Sequence, residues 1–408
     1  MPESKTSTLL HDLVHLGGPT CLLIKAKLQP IGDVDRFQPA GFPEIGHVLY
    51  DAPRRGNTIE KVCIVDSPAS MANHLETICL AGPNEADLHP DLAGLPYVVC
   101  TTDNMTMLGG DTAEKDPQRP HDRRVFTSIT EGHRIASDYF LDGLTNPQRV
   151  EEQRVSKRRG KPETVPAHWK WQTFRMQLRE AFEIVEVKKD KTYFIHPDNW
   201  WTIYRTIFQH DPNSLVHGVM FAREQIKLSR ILTAHLEAFG ASRVGRSGVK
   251  FDRLGKTLSG QPIFAVDEET AREIRATFIL DLALLRSYGR NGQGLNEAQK
   301  QLLLGLALWK IQQLLARPFR FRSQCHLQCA EVVIGMEGTD GNIRDQSDYS
   351  PLLDNVDIRQ LIAACNFNAD PVTRVYYPSN ELFKPGKDDE QDTDAGTEEN
   401  DGEEPMED

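Results

Sequence analysis

Cys21-Leu22-Leu23-Ile24-Lys25-Ala26-Lys27-Leu28 opens the stretch on which the fold turns, and Lys61-Val62-Cys63-Ile64-Val65 is its second strand. The first run is apolar and then alternates; the second is short and apolar, and both read as β. Between them lies Asp35-Arg36-Phe37-Gln38-Pro39-Ala40-Gly41-Phe42-Pro43. Two prolines and a glycine exclude regular structure there, so Arg36, Phe37 and Gln38 are presented on a fixed loop. After the second strand comes Asp66-Ser67-Pro68-Ala69-Ser70-Met71-Ala72-Asn73-His74-Leu75-Glu76. Ser67 is a good N-cap and Pro68 a good first helical residue. Met71, Leu75 and Ile78 then share one helix face, and Ser70, Asn73, His74 and Thr77 another. A helix N-terminus with free N–H groups and partial positive charge suits a phosphate.

The whole chain has 408 residues, enough for a large core with insertions. No apolar run approaches the ~20 residues of a membrane span. The first ten residues lack a basic region followed by an apolar core, so no secretory signal is expected. The net charge of −12 is unevenly placed: Asp388 to Asp408 hold 12 of the 59 acidic residues, which leaves 47 acids against 47 bases elsewhere. An acidic total therefore does not argue against nucleic acid; the clustering of bases decides. Seven scattered cysteines, an odd number, fit free thiols in a reducing cytoplasm. Cys325 and Cys329 form the one close pair. They share a strand face with Leu327, which points to burial rather than zinc.

Leu9 to Val14 has a short helical pattern within a polar lead-in of residues 1–20. Tyr97-Val98-Val99-Cys100 reads as a strand, 101–130 as an irregular insertion, and Glu131 to Leu141 as a helix. Arg149 to Pro162 is polar and strongly basic at Lys157, Arg158 and Arg159. It reads either as a solvated loop or as an arm that closes on a polyanion. The aromatic residues between 168 and 240 read mainly as packing. Phe182 to Phe194 looks like a hairpin turning at Lys189-Asp190, and Gln225 to Phe239 like a helix stopped by Gly240. Ser242 to Lys256 interleaves five bases with glycines and Phe251, a pattern suited to phosphates, with a solvated hairpin loop as its plainer reading.

Asp267 to Tyr288 reads as an amphipathic helix, with Ile274, Phe278, Leu282 and Leu285 on one face. Asn296 caps a second helix, Glu297 to Ala316, that is apolar nearly all round and so should be buried. Phe319 to Cys325 alternates as a strand, Arg320 and Arg322 on one face and Phe319 and Phe321 on the other. Glu331 to Ile334 is its expected partner. Asp357 to Phe367 reads as a helix, Val375 to Tyr377 as an edge strand, and the acidic tail from Lys387 as disordered. The outline is α+β and compatible with an RRM-like (ferredoxin-like) core carrying large insertions.

Signatures of catalysis are sparse. Gly255-Lys256-Thr257 resembles the end of a P-loop, but Lys250 stands where the first glycine is required. There is no G-x-G-x-x-G, G-x-S-x-G or H-E-x-x-H. The His-Asp dipeptides at His11, His121 and His210 lack further metal ligands at helical spacing. His74 and His133 each read as structural rather than as a general base.

Val34 to Pro43 resembles an early motif of the CRISPR-associated RAMP proteins that form the backbone of type I effector complexes. The nearest group is the type I-U, or I-G, variety (the Cas-seven subunit, Csb-one group). Asp66 to Glu76 resembles that group's serine-to-glutamate helix start. Asp211-Pro212-Asn213-Ser214-Leu215-Val216-His217-Gly218 and Ser247-Gly248-Val249-Lys250-Phe251-Asp252-Arg253 resemble further blocks, and the similarity spans roughly residues 20–380. The resemblance implies an RRM-like palm with inserted finger and thumb elements. It implies copies stacked along a CRISPR RNA, which they hold by its backbone and present for pairing with target DNA. Other effector subunits and a separate helicase–nuclease would complete the complex, with no cofactor, no metal, no membrane and no catalysis in this chain. Delegating sequence choice to base pairing calls for a protein that grips phosphates. The expected RNA contacts are Arg36, Gln38, Ser67, Asn73, His74, Lys157, Arg158, Arg159, Arg243, Arg246, Lys250, Arg253, Arg320 and Arg322. The alternative is a RAMP-type endoribonuclease, for which His74, Asp33 or Asp35 would do the chemistry. A scaffold held by protein contacts alone would leave the basic loops unexplained.

Overall fold

The computed structural model describes residues 5–42, 46–54, 56–82, 87–102, 123–150, 153–155, 162–164, 168–187, 192–244, 268–337, 343–345, 349–354 and 356–377. The acidic tail, most of the 101–130 insertion and most of both basic segments lie outside these residues.

The larger sheet is antiparallel throughout. Its strands in chain order are β1 (Cys21–Pro30), β2 (Leu49–Pro53), β3 (Ile59–Asp66), β4 (Leu232–Phe239), β5 (Glu273–Asp281), β6 (Phe319–Arg322), β7 (Cys325–Glu337) and β8 (Ile343–Asp345). They lie in the order β6-β7-β1-β5-β4-β3-β2, with β8 also paired to β7. The register aligns apolar rungs across three central strands: Leu22, Leu280 and Leu232; Ile24, Phe278 and Ala234; Ala26, Ala276 and Leu236; Leu28, Ile274 and Ala238. All twelve side chains are buried. The opposite face carries Lys25, Lys27, Thr233, His235, Glu237, Arg275 and Thr277, each at least partly exposed.

The structure replaces two expected helices with strands here. The run expected as a helix from Gln225 to Phe239 forms Ile226–Leu228 and β4, and the one from Asp267 to Tyr288 forms mainly β5. Leu232-Thr-Ala-His-Leu-Glu-Ala-Phe239 alternates apolar and polar, the pattern of a half-buried strand, although its Leu, Ala and Glu residues are good helix formers. Ile274 and Phe278 are four apart, a spacing shared by both periodicities, and the alternation through Ala276 and Leu280 decides for the strand. The helical tail of that run is only Leu282–Ser287.

The helices named here are α1 (Lys5–Val14), α2 (Pro68–Thr77), α3 (Pro212–His217) and α4 (Glu297–Leu315). α2 packs on β4, and α4 lies against α1, α2 and α3. The capping box between Asn296 and Gln299 starts α4 as the sequence indicates, and most of its apolar residues are fully buried. Glu131 to Leu141, expected as one helix, is a single 3₁₀ turn (Arg134–Ala136) followed by a short helix (Asp138–Leu141). Two residues interrupt a continuous helix: Arg134, whose φ of 55° is left-handed, and Ser137, which is extended at φ −62° and ψ 136° between the two pieces.

A smaller sheet has the order His168–Thr173, Leu144–Val150, Val372–Tyr376, Tyr97–Thr102, Arg123–Thr127. Val372–Tyr376, expected at an edge, is its central strand and runs parallel to Tyr97–Thr102. The expected partner of β6 also changes. β6 pairs with the start of β7, Phe319 opposite Leu327, whereas Glu331 to Ile334 pair with β1. The hairpin around 189–190 is present as Val185–Val187 against Thr192–Phe194. Its turn lies outside the described residues.

Candidate nucleic-acid interface

The loop after β1 is held by backbone hydrogen bonds to three separate elements. Phe37 N donates to Glu269 O at 3.0 Å and Phe37 O accepts from Glu269 N at 2.9 Å. Gln38 N donates to Gln324 O at 3.0 Å, in the turn between β6 and β7, and Ala40 N donates to Val65 O at 2.8 Å, near the end of β3. The Thr270 hydroxyl adds a bond to Asp35 O at 2.8 Å. The Phe37 ring is buried beneath this loop, and Pro39 limits the loop's freedom. Arg36 stands half exposed above it, Nε 3.3 Å from Glu268 and Nη1 3.1 Å from Asp35.

Arg243 lies in Ser242–Val244, which pairs with Glu268–Thr270. Its Nε is 3.4 Å from Glu269 Oε1, and His47 Nδ1 reaches the same oxygen at 3.0 Å. Glu269 is fully buried, and its Oε2 has no hydrogen-bond partner among the described residues. This carboxylate was not legible in the sequence, because its two partners come from distant segments.

At the start of α2 the Ser67 hydroxyl caps Ser70 N at 3.2 Å. Asp66 accepts from four donors: Ser67 N (2.9 Å) and Arg322 Nη2 (2.7 Å) on Oδ1, Ser70 Oγ (2.9 Å) and His74 Nε2 (2.9 Å) on Oδ2. The chain's own carboxylate thus sits where the sequence suggests a phosphate, and every lone-pair site of Asp66 is engaged. Burial pushes this carboxyl up, but the hydrogen bonds from His74 and Ser70 and the charge of Arg322 outweigh it and hold the group below its usual range. The edges of Phe319 and Phe321, each 5.4 Å away between ring centres, pack against His74.

Shared contacts link the expected residues: His74 and Arg322 meet on Asp66 beside Ser67, Gln38 bonds to Gln324 just past Arg322, and Arg36 and Arg243 reach the adjacent acids Glu268 and Glu269. Arg320 bonds to Ser323. Asn73 is exposed on α2, beside His74 in the chain. Lys157, Arg158, Arg159, Arg246, Lys250 and Arg253 lie outside the described residues. Asp33 and Asp35, the acids of the endoribonuclease alternative, are exposed on the loop. Among the described residues no group of three or more His, Cys, Asp or Glu could hold a metal ion. None of the seven cysteines is in a disulfide. Burial pushes the thiols of Cys63, Cys100 and Cys325 up to about 12. No helix among the described residues is long and apolar enough to cross a membrane.

Behind α2 lies a buried polar network. Arg134 Nε and Nη2 meet the two oxygens of Glu76 at 2.6 and 2.8 Å, and Asn213 Nδ2 donates to Glu76 Oε1 at 2.7 Å. Lys310, fully buried in the apolar helix α4, donates to Asn213 Oδ1 and lies 3.0 Å from His217 Nε2. The Ser214 hydroxyl donates to Asp211 Oδ2 at 2.7 Å, and burial pushes the Asp211 carboxyl up to about 6. Glu76 and the run Asp211 to Gly218 lie in blocks singled out above, and Lys310 stands within the apolar stretch Leu302 to Ile311 of α4.

The family of CRISPR-associated protein GSU0053 matches residues 22–243. No curated protein matches the chain.

Proposed function

The chain belongs to the CRISPR-associated GSU0053 family, which gives it a role in CRISPR defence, and from that premise we propose that it is a non-catalytic backbone subunit that grips CRISPR RNA. Copies aligned along the guide would present it for pairing with target DNA, beside other effector subunits and a helicase–nuclease in the cytoplasm. The observation that carries this reading is the loop at 35–40. Its bonds to three elements pin Arg36 and Gln38 next to Arg243, Arg322 and the start of α2. A rigid rim of arginines and backbone groups suits phosphates held in register, without reading of base edges. The RRM-like palm with inserted finger and thumb elements is supported by the strand order β7-β1-β5-β4, antiparallel throughout, with α2 between β1 and β4 in the chain and α4 between β5 and β7.

The test is to purify the full chain with its natural nucleic acid and ask whether RNA comes with it. A guide-length RNA that copurifies, and that an Arg36→Ala, Arg243→Ala double variant loses in part, is the expected result. Recovery of the pure protein free of RNA, with no affinity for added guide, would overturn the proposal.

A further inference from the structure

A groove of about 490 Å³ opens between the turn at Gly132 to Arg134, the end of α3 at His217 and Gly218, and the hairpin of Val219–Phe221 with Ile226–Leu228. Its electrostatics are one-sided: Lys227, Arg230, Arg134 and His133 line it, and no Asp or Glu does. Arg134 is already committed to Glu76. Lys227 is exposed, and neither it nor Arg230 has a carboxylate within 4 Å among the described residues. Arg230 makes one long contact, 3.4 Å from Nη1 to the Pro68 carbonyl, which ties the groove to the first turn of α2.

A second observation concerns His217, which is buried and lines the same groove. A lysine ammonium has donors only, so the contact from Lys310 makes Nε2 of His217 the acceptor. The ring proton then sits on Nδ1, and that atom has no hydrogen-bond partner among the described residues. Burial holds the imidazole well below its ordinary pKa, and the neighbouring charges of Lys310, Arg134 and Arg230 push the same way. A buried donor without an acceptor is costly, and a native structure rarely keeps one without a use. The groove is thus lined by positive charge that no carboxylate among the described residues answers, with the neutral His217 behind it and its Nδ1 buried from solvent.

We infer that this groove binds a phosphate group, with Lys227 and Arg230 meeting its charge on the side facing the start of α2. The group can come from single-stranded RNA that continues past the rim at Ser67, which rests on the reading above, or from a free phosphate or mononucleotide, which does not.

The experiment has two arms on the full chain and on the variants Lys227→Gln, Arg230→Gln, their double, and Lys227→Glu. Calorimetric titration with inorganic phosphate and with adenosine monophosphate reads the free source. Fluorescence anisotropy of labelled single-stranded RNA over a salt series reads the polymer. The double variant should weaken binding about tenfold in the relevant arm, and in the RNA arm the salt slope should flatten by ~0.7 for each contact removed. Lys227→Glu, at an exposed position that leaves packing alone, should weaken it further. Loss in both arms assigns a general phosphate site. Loss with RNA only assigns a backbone phosphate, and loss with the small ligands only assigns a free anion. Unchanged binding in both arms, with unchanged thermal melting, overturns the site. If wild-type protein binds no RNA, the RNA-gripping role fails while the phosphate arm still decides the groove.

Discussion

Arg322 and Asp66 meet at 2.7 Å from positions 256 residues apart, and the contact locks the turn-bearing hairpin β6-β7 to the start of α2. Asp66 is almost fully buried and Arg322 about a quarter exposed, so the pair is shielded on the carboxylate side. His74, Ser70 and Ser67 fill the remaining acceptor sites.

Asp66→Asn should therefore be costly. An amide offers one acceptor oxygen and turns two donors toward groups that also donate. The expected loss is about 3 kcal/mol of unfolding free energy, read by urea denaturation. In the wild type, the depressed pKa makes the Asp66 contribution fully present above the unfolded carboxyl value of about 3.9. It is lost as pH falls through the lower folded value. Denaturation curves from pH 6 to pH 2 should show a steeper fall in the wild type than in Asp66→Asn; parallel curves would mean that the four donors do not hold the ionised form.

Glu76 and Arg134 form a bidentate pair that is nearly sealed from water. Arg134→Met leaves a buried carboxylate with Asn213 as its remaining donor, and Glu76→Gln leaves a buried guanidinium. Each should cost about 3–5 kcal/mol, and the double variant clearly less than the sum. Additive losses in a double-mutant cycle would show that the two side chains act separately.

His210 lies beside the smaller sheet, Nδ1 2.7 Å from the Thr373 hydroxyl, and burial lowers its pKa to about 4. The unfolded histidine protonates near 6.5. Stability from this residue is thus present above pH 6.5 and lost as pH falls toward 4. His210→Gln, which can keep a hydrogen bond to Thr373, should flatten the stability profile across that window. The same slope in both proteins would assign the pH dependence elsewhere, Asp211 being the neighbouring group with an opposing tendency.

The proposed lack of catalysis is open to a direct test. Purified protein, incubated with labelled guide and target RNA with and without magnesium, should leave both intact. Cleavage that disappears in His74→Ala or Asp35→Ala would replace the gripping role with an endoribonuclease. The contact of His74 Nε2 with Asp66 makes His74→Ala destabilising as well, so the Asp35 variant on the exposed loop is the cleaner control.

The local signals that survived folding are those a few neighbouring residues decide. Ser67 and Pro68 start α2 and Asn296 with Gln299 starts α4; each depends on contacts within four positions. The loop expected after β1 is present up to Ala40, but Gly41–Phe42 pairs with Gly46–His47, and Val65, Glu269 and Gln324 hold the loop from far along the chain. The structure places Arg36 and Gln38 on that loop with both side chains at least partly exposed. Tertiary structure decided what a spacing of four leaves open. Ile274 and Phe278 fit a helix face and a strand face equally, and the Ala276 and Leu280 rungs against β1 and β4 settle the choice. It also decided which charges are answered within the chain. Arg322, expected as an RNA contact on an alternating strand, is brought by the fold onto Asp66, and His47 and Arg243 enclose the carboxylate of Glu269. Such pairings depend on residues 256 apart for Arg322 and Asp66, 222 for His47 and Glu269 and 26 for Arg243 and Glu269 being brought within a few ångströms, because electrostatic attraction becomes strong only at contact and away from water. No local pattern encodes that distance.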